Sequence, residues 1–555
     1  MTDRIVIVGS GLAGVSAAIR CAEAGLPVAL YSPMPPTHSQ SVMAMGGIAA
    51  ALNHAGDGDD AEQHFKDTMA GGLYLADPNA VRGLTLGAPD VISCLEGYGA
   101  LFSRTPEGII EQRNFGGHSK RRTAFCGAQT GRQLMSALVM RLRALEAENR
   151  VVQLFGYRFI RAAVDEDGRC VGCVLMDEFL LTTLAIECRA LIIATGGMNG
   201  VYDGAVGSAA NDGIATASLL TQGVEMANLE FVQFHPTTVE TPSKRMLISE
   251  AARGDGGRLY TPRDGEPWYF MEEYHPGKGN LAPRDVVSRE IYKLCKAGLG
   301  VDGGKRVFLD IRRLGAEAIR TRLDEVDFIC RTYLRIDPSK EPIPVYPGVH
   351  FFMGGIKVGI DHQSSMAGLY AAGECACLYH GANRLGANSL LAAVYGGQTA
   401  AARIAGGTAA AHGDTGEIID RAEREAAAEI KSIFREGGVH SGEIIKTIHR
   451  TMDFCMSIER DGGDLAKGLD TLSAMSEKTD ALGIDALNMF EAWRAKKTLC
   501  LAESMIESAL YRKESRGAHM RSDFPETSGD FRKTTVTRRQ CSPRVSFEPI
   551  QEERI

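Results

Sequence analysis

The chain has 555 residues, 44% of them hydrophobic and 23% charged, longer than the roughly 250–300 residues that one hydrophobic core supports, so several domains are expected. Lys and Arg number 61 against 69 Asp and Glu, and no basic block with interleaved aromatics stands out, which argues against nucleic acid as a partner. Thirteen cysteines at irregular spacing read as a reduced inventory rather than a disulfide framework. The only tight pairs, Cys170/Cys173 and Cys375/Cys377, lack a second pair at zinc-ribbon spacing, and no grouped run suits an iron–sulfur cluster. Any such cluster is expected on another protein. The start MTDRIVIVGSG lacks a secretory signal, and no apolar stretch approaches the ~20 residues of a membrane span. A soluble chain is expected, reaching a membrane only through partners.

From Arg4 the sequence reads strand (RIVIV), glycine turn (Gly9-Ser10-Gly11), helix (Leu12 to Ala24) and strand (PVALYS), the opening of a βαβ unit and of a doubly wound sheet. A glycine-rich segment at 39–50 and a polar loop at 53–60 interrupt it. Helical periods follow from about Ala61 to Leu101 and from Thr130 to Glu148. Strand-like alternation returns from Val151 to Arg189 and ends in the apolar run ALIIATGG, a further central strand. The Pro-, Gly- and aromatic-rich stretch from 237 to 347 reads as an inserted cap. GLYAAGE at 368–374 is another strand and turn, and an Ala-rich helix follows Asn388. From about Glu417 to Lys513 long, charged helical periods predict a separate helical domain, and past Arg521 a polar extended tail is expected.

The expected fold class is α/β. A discontinuous doubly wound, Rossmann-like domain (1–236 and 348–410) carries an inserted α+β cap (237–347), followed by a helical domain (411–520) and a C-terminal tail (521–555).

Gly9, Gly11 and Gly14 of G-S-G-L-A-G follow a strand and open a helix, so the backbone at Leu12 and Ala13 can approach a pyrophosphate at the helix N-terminus. The second strand ends at Tyr31-Ser32, without the acidic residue that usually takes the ribose hydroxyl. ATGG (Ala194, Thr195, Gly196) and AAGE (ending at Glu374) are further strand ends with glycines. Each alone is equally a tight turn, but three in one chain favour FAD. The helix starting near Ser389-Leu390 would aim its positive end beyond AAGE. An Ala-rich packing helix would look the same.

The segments FGGHSKRRTAFCGAQTGRQL, EFVQFHPT, LISEAARGDGGRLY, GNLAPRDVVSREI, VHFFMGGI, GANRLGANSLL and ESRGAHMRSDFP resemble, in order and spacing, the flavoprotein subunits of succinate dehydrogenase and fumarate reductase. The likeness runs from residue 4 to about residue 525 and is greatest to the membrane-complex form of Bacillus-like bacteria. It implies interconversion of fumarate and succinate, with hydride exchanged at flavin N5, a proton donor, and a clamp for two carboxylates. By resemblance His235 and Ser249 grip one carboxylate, while His350 and Arg384 grip the other. Arg284 matches the proton donor, with Glu250 and Arg253 as its relay, and Phe115 packs on the alkene. Ser39, Gln40, Ser41, Gly46, Gly47, Asp212 and Arg384 join the FAD-binding set, and Gly47 also borders the substrate. Each has a plainer reading: His235 as a turn cap, Arg284 paired with Asp285, Glu250 paired with Arg253.

The resemblance further implies an iron–sulfur partner and a membrane anchor with quinone, placing the chain at the cytoplasmic face of the inner membrane. One departure matters. Where most membrane-bound relatives carry the histidine that bonds covalently to flavin, alignment on Ser39 and Gly46-Gly47 puts Gln40, with His38 two residues earlier. A non-covalent FAD is expected, and with it a tilt toward fumarate reduction. An L-aspartate oxidase, or a catalytically silent electron-relay flavoprotein, are the alternatives.

Overall fold

The computed structural model describes residues 4–242, 244–407, 415–435, 440–479, 482–483, 489–539 and 542–551. The N-terminal unit runs β1 (Ile5–Val8), α1 (Leu12–Glu23) and β2 (Val28–Ser32). The chain returns in β3 (Val151–Phe155) and β4 (Ala190–Ile193), then forms β5 (Met226–Ala227) and β6 (Val232–Glu240). There follow β7 (Arg245–Leu247), β8 (Arg258–Arg263), β9 (Glu266–Trp268), helix α2 (Arg284–Lys296), β10 (Val307–Asp310) and β11 (Ile343–Phe352). Strands β12 (Gly355–Lys357), β13 (Leu369–Ala371) and β14 (Ala376–Cys377) lead to helix α3 (Asn388–Gly406). Helices α4 (Gly416–Ser432), α5 (Ser441–Cys455), α6 (Gly462–Thr479) and α7 (Met489–Tyr511) precede β15 (Lys533–Arg539) and β16 (Pro543–Pro549).

A parallel five-stranded sheet, order β13-β4-β1-β2-β3, is the centre of the molecule. Its inner strands β1 and β4 are apolar throughout and buried, because helices cover both faces. A six-stranded sheet, β7-β6-β11-β10-β8-β9, forms a second body. It has its own core, in which Val239, Ile248, Leu259, Val287, Ile291, Leu309 and Val345 pack together. Strands β6 and β11 pair antiparallel and run from this body back toward the first. The expected boundaries at 236/237 and 347/348 fall inside those two strands, so the residues on either side share one hydrogen-bonded ladder.

Helices α5, α6 and α7 pack on one another as the expected helical domain, and Trp493, Leu501 and Met505 of α7 join it to the core of β1 and α1. One segment differs from its sequence reading. The segment expected to be an extended tail is a β-hairpin, β15–β16, added to β5 in a sheet of order β14-β12-β5-β15-β16. Thr535, Val536 and Thr537 are buried, Lys533 and Arg538 are exposed, and Arg539 is buried against Glu503. The boundary expected at 410/411 lies outside the described residues.

Candidate active site

A cavity of about 930 Å³ lies between the two bodies, bordered by β1, β4, the N-terminus of α3 and the inner ends of β6 and β11. One end is a backbone cradle. Gly9 has φ +113°, and a Cβ there would sit 2.1 Å from the Ala194 carbonyl oxygen, so only glycine lets the ends of β1 and β4 meet. The N-cap of α1, Gly11, brings no side-chain cap, and the helix presents its amides to the cavity apart from that of Leu12, which donates to Ser41 Oγ at 3.0 Å. Such a helix start is an anion site.

Gly9, Gly11, Leu12, Ala13, Ser32, Ser39, Gln40 and Ser41 all line this end. So do Ala194, Thr195, Gly196, Asp212, Glu374, Ser389 and Leu390, while Gly46 and Gly47 stand with Phe115 toward the other end. Lined by the glycine turns and the start of α1, the cradle fits a dinucleotide. Gln40 Oε1 accepts the Ser208 amide at 2.7 Å. Glu374 Oε1 accepts the Phe352 amide at 3.1 Å, and burial lifts its carboxyl to about 7. Asp212 is committed to Arg158 at 2.6 Å and Arg494 at 3.4 Å, so its side chain braces the wall.

Three expected residues stand behind the cavity surface. Gly14 is packed where a Cβ would meet the Gly9 carbonyl at 1.8 Å, so it serves the helix–strand crossing. Tyr31 turns its ring edge-on to Tyr157. Arg253, 1% exposed, lies beyond Glu250.

At the other end, charged side chains converge from distant segments. Glu250 Oε2 accepts Arg284 Nη2 at 2.6 Å and Nε at 2.8 Å, while its Oε1 accepts the Gly116 amide at 2.9 Å. A Cβ on Gly116 would lie 2.4 Å from that oxygen, so any side chain there would displace the Glu250 carboxylate. Burial pushes the Glu250 carboxyl up, but Arg284, Arg253 and the Gly116 amide outweigh it, and the net direction is down. Arg253 stands 3.6 Å from Glu250 and donates to the Asn280 carbonyl at 2.6 Å. The plain pairing of Glu250 with Arg253 therefore exists, alongside the closer one with Arg284. Asp285 instead accepts from Asn383 at 2.8 Å.

Bulges in the β6–β11 ladder next to Phe234 and His235 turn two histidines inward, and the rings of His235 and His350 meet edge to face at 5.2 Å. Burial holds both imidazoles well below their ordinary range, with Arg284 adding to the effect, so both are neutral donors or acceptors. His350 Nδ1 and Arg384 Nε are buried without a hydrogen-bond partner. Arg384 stacks over Phe351 at 4.3 Å and donates to Ser389 Oγ at 2.9 Å. Ser249 also borders the space. Arg284, Arg384 and Arg253 thus surround one ionised carboxylate, Glu250. A cavity with surplus positive charge and unused donors suits a compact dianion.

One participant escaped the sequence reading: Gln233, whose amide oxygen accepts from both Arg284 (3.1 Å) and Arg384 (2.9 Å). Its place in EFVQFHPT, two residues before His235 on the same strand, was the available signal. Among the described residues no cluster of His, Cys, Asp and Glu could hold a metal ion, and no helix is long and apolar enough to cross a membrane.

Comparison with known proteins agrees with this geometry. An "FAD binding domain" family model matches residues 4–390, and a "Fumarate reductase flavoprotein C-term" model matches residues 445–555. The succinate dehydrogenase flavoprotein subunit of Bacillus subtilis is 37% identical over 97% of this chain and 94% of its own length. The chain belongs to the succinate dehydrogenase and fumarate reductase flavoprotein family. It is an FAD-dependent oxidoreductase of that family. The fumarate reductase flavoprotein subunit of Mycobacterium tuberculosis is 34% identical over 98% of this chain and 97% of its own. A solved E. coli quinol fumarate reductase chain superimposes with a TM-score of 0.93 at 30% identity, covering 100% of this chain and 98% of that one.

Proposed function

We propose that this chain interconverts fumarate and succinate, and that its principal direction is fumarate reduction. The observation that carries the reading is the convergence of Arg284, Arg384, His235 and His350 on one end of the FAD cradle, with Glu250 as the one ionised carboxylate among them. FAD, when bound, supplies the two-electron chemistry. It would be held by Gly9, Gly11 and the amides of α1, by the Ala194–Gly196 turn, and by the N-terminus of α3 at Ser389 and Leu390.

The protein's own groups do the rest. His235 and Ser249 hold one substrate carboxylate, and His350 and Arg384 hold the other, Arg384 through its free Nε–H. Phe115 closes the space over the substrate and excludes water. Arg284 gives a guanidinium proton to the carbon left electron-rich by reduction. Such a donor is a poor acid, with a pKa above ~12, so the step depends on Glu250 Oε2, 2.6 Å away. A proton arriving past Arg253 is taken up by the ionised Glu250 and passed on to Arg284.

The preference for fumarate reduction rests on Gln40. A glutamine cannot form the covalent flavin link expected to raise flavin potential, and its side chain is engaged with the Ser208 amide. Electrons are proposed to arrive through an iron–sulfur subunit and a quinone-binding membrane anchor, with the chain peripheral at the cytoplasmic face of the inner membrane.

The test pairs fumarate reduction by a reduced viologen dye with in-gel flavin fluorescence after acid denaturation. Activity with a dark protein band supports both the reaction and the dissociable cofactor. A fluorescent band would assign a covalent link to His38 or another residue and restore succinate oxidation to equal standing. Absence of turnover with either dicarboxylate would overturn the reading.

A further inference from the structure

Gln233 is fully buried and does not border the cavity, yet it touches both arginines assigned to the chemistry. Its Oε1 accepts Arg284 Nη1 at 3.1 Å and Arg384 Nη2 at 2.9 Å. Its Nε2 donates to Asn383 Oδ1 at 2.7 Å and to the Arg384 carbonyl at 2.9 Å. Only one orientation of the amide satisfies this set, because guanidinium groups solely donate and a carbonyl solely accepts. Asn383 Nδ2 then donates to Asp285 Oδ1 at 2.8 Å, and Asp285 is the chain neighbour of Arg284. The hydrogen bonds close a ring: Arg284 to Gln233, Gln233 to Asn383, Asn383 to Asp285, and back through the α2 backbone. The ring spans the two bodies, since Arg284 and Asp285 start α2, which packs on the second core, whereas Asn383 and Arg384 precede α3.

We propose that Gln233 is a positioning residue which, with Asn383 and Asp285, sets the spacing and orientation of Arg284 relative to Arg384. This rests on the preceding assignment of Arg284 as proton donor and Arg384 as carboxylate clamp. The chemistry of the position calls for a neutral acceptor. A carboxylate would neutralise both cations. An apolar side chain would leave two buried donors unpaired and two like charges free to separate. Each arginine has other anchors, Glu250 for Arg284 and Ser389 with Phe351 for Arg384, so loss of Gln233 alters their relation rather than removing either.

The experiment compares the FAD-loaded wild type with Gln233→Leu, Gln233→Met, Asp285→Ala and the double variant Gln233→Leu/Asp285→Ala, in viologen-linked fumarate reduction and by crystallography. Both single Gln233 variants are expected to lose about 100-fold in kcat, the scale of a misplacement of about 1 Å, with a much smaller change in KM. Asp285→Ala, at a residue that does not border the active-site cavity, is expected to move kcat in the same direction by less. The double variant should be no slower than Gln233→Leu alone, because both act on one ring. A rise in KM at unchanged kcat, wild-type turnover in Gln233→Met, or losses that multiply in the double variant would each overturn the proposal. The crystal structure of Gln233→Leu decides the matter independently of turnover: Arg284 displaced toward Glu250 supports it, and an unmoved Arg284 overturns it. If the wild type turns over neither dicarboxylate, the functional reading falls while this structural arm still gives its answer.

Discussion

Two clusters of buried arginines lie in this molecule, and they treat their hydrogen-bond donors in opposite ways. Near the C-terminus, Arg512 donates through Nε to Glu230 at 2.6 Å and through Nη1 to Glu514 at 2.9 Å and to the Phe531 carbonyl at 2.7 Å. Its Nη2 donates to the Lys533 carbonyl and Thr535 Oγ1, both at 2.7 Å. Arg516 is likewise filled by Glu514, Ser528 and the Leu73 carbonyl. At the cavity, by contrast, Arg384 Nε and His350 Nδ1 have no hydrogen-bond partner. Burial is equally deep in both places. Donor saturation separates them: every guanidinium nitrogen of Arg512 and Arg516 is engaged by the protein itself, whereas the free donors at the cavity are filled only when something else enters.

The comparison breaks first at Arg284. Arg284→Lys keeps a cation beside Glu250 but loses the planar fork, and fumarate reduction is expected to fall by about 10³-fold, within the range of general acid catalysis. The urea unfolding midpoint should stay near that of the wild type. Arg512→Met should do the reverse. It strands Glu230 and Glu514 without their cation, so urea denaturation should report a loss of about 3–5 kcal/mol, with kcat per FAD-loaded enzyme unchanged. A dicarboxylate sharpens the contrast by filling the unused donors. At about 100 times its Kd it should stabilise the wild type by about 2.7 kcal/mol in thermal unfolding, and Arg384→Met should lose most of that gain.

The smallest expected effect concerns pH. Burial raises the Glu374 carboxyl from 4.5 to about 7, which favours its neutral form in the folded protein. That contribution is fully present below the unfolded value and is lost as pH rises through about 7. Glu374→Gln stays neutral throughout, so its unfolding midpoint should gain on the wild type between pH 5 and pH 8. A gap that narrows over that window would show that Glu374 is ionised in the cradle.

Much of the cradle was legible because its physics is local. Gly9 and Gly11 sit in one turn between a strand and a helix, and their spacing alone implies close backbone approach. His235, Ser249, Glu250 and Arg284 were placed by resemblance, and the structure brings them to one cavity end. Gln233 was not legible, because its meaning arises only when residues 51 and 151 positions away close around it. The hairpin at 533–549 was missed for a similar reason. Its Lys, Arg and Thr composition reads as solvated, and its partner β5 is two residues long and about 300 positions upstream. Gly14 and Tyr31 went the other way, since motif position suggested contact where helix packing and the Tyr157 ring occupy them.

That hairpin also bears on how the protein is made. Val536 and Thr537 pair with Ala227 and Met226, the Thr535 amide donates to Asn228, and β5 leads directly into β6, the strand bearing His235. On the ribosome, at ~5–20 residues per second, roughly 15–60 s separate His235 from Thr535. Throughout that interval the edge of β5 has no partner of its own, and the saturated arginine cluster lacks the carbonyls of Phe531 and Lys533 that complete it. The nascent chain therefore completes this sheet only once residues 533–549 have been made. The hairpin is accordingly a poor place for an insertion or a truncation.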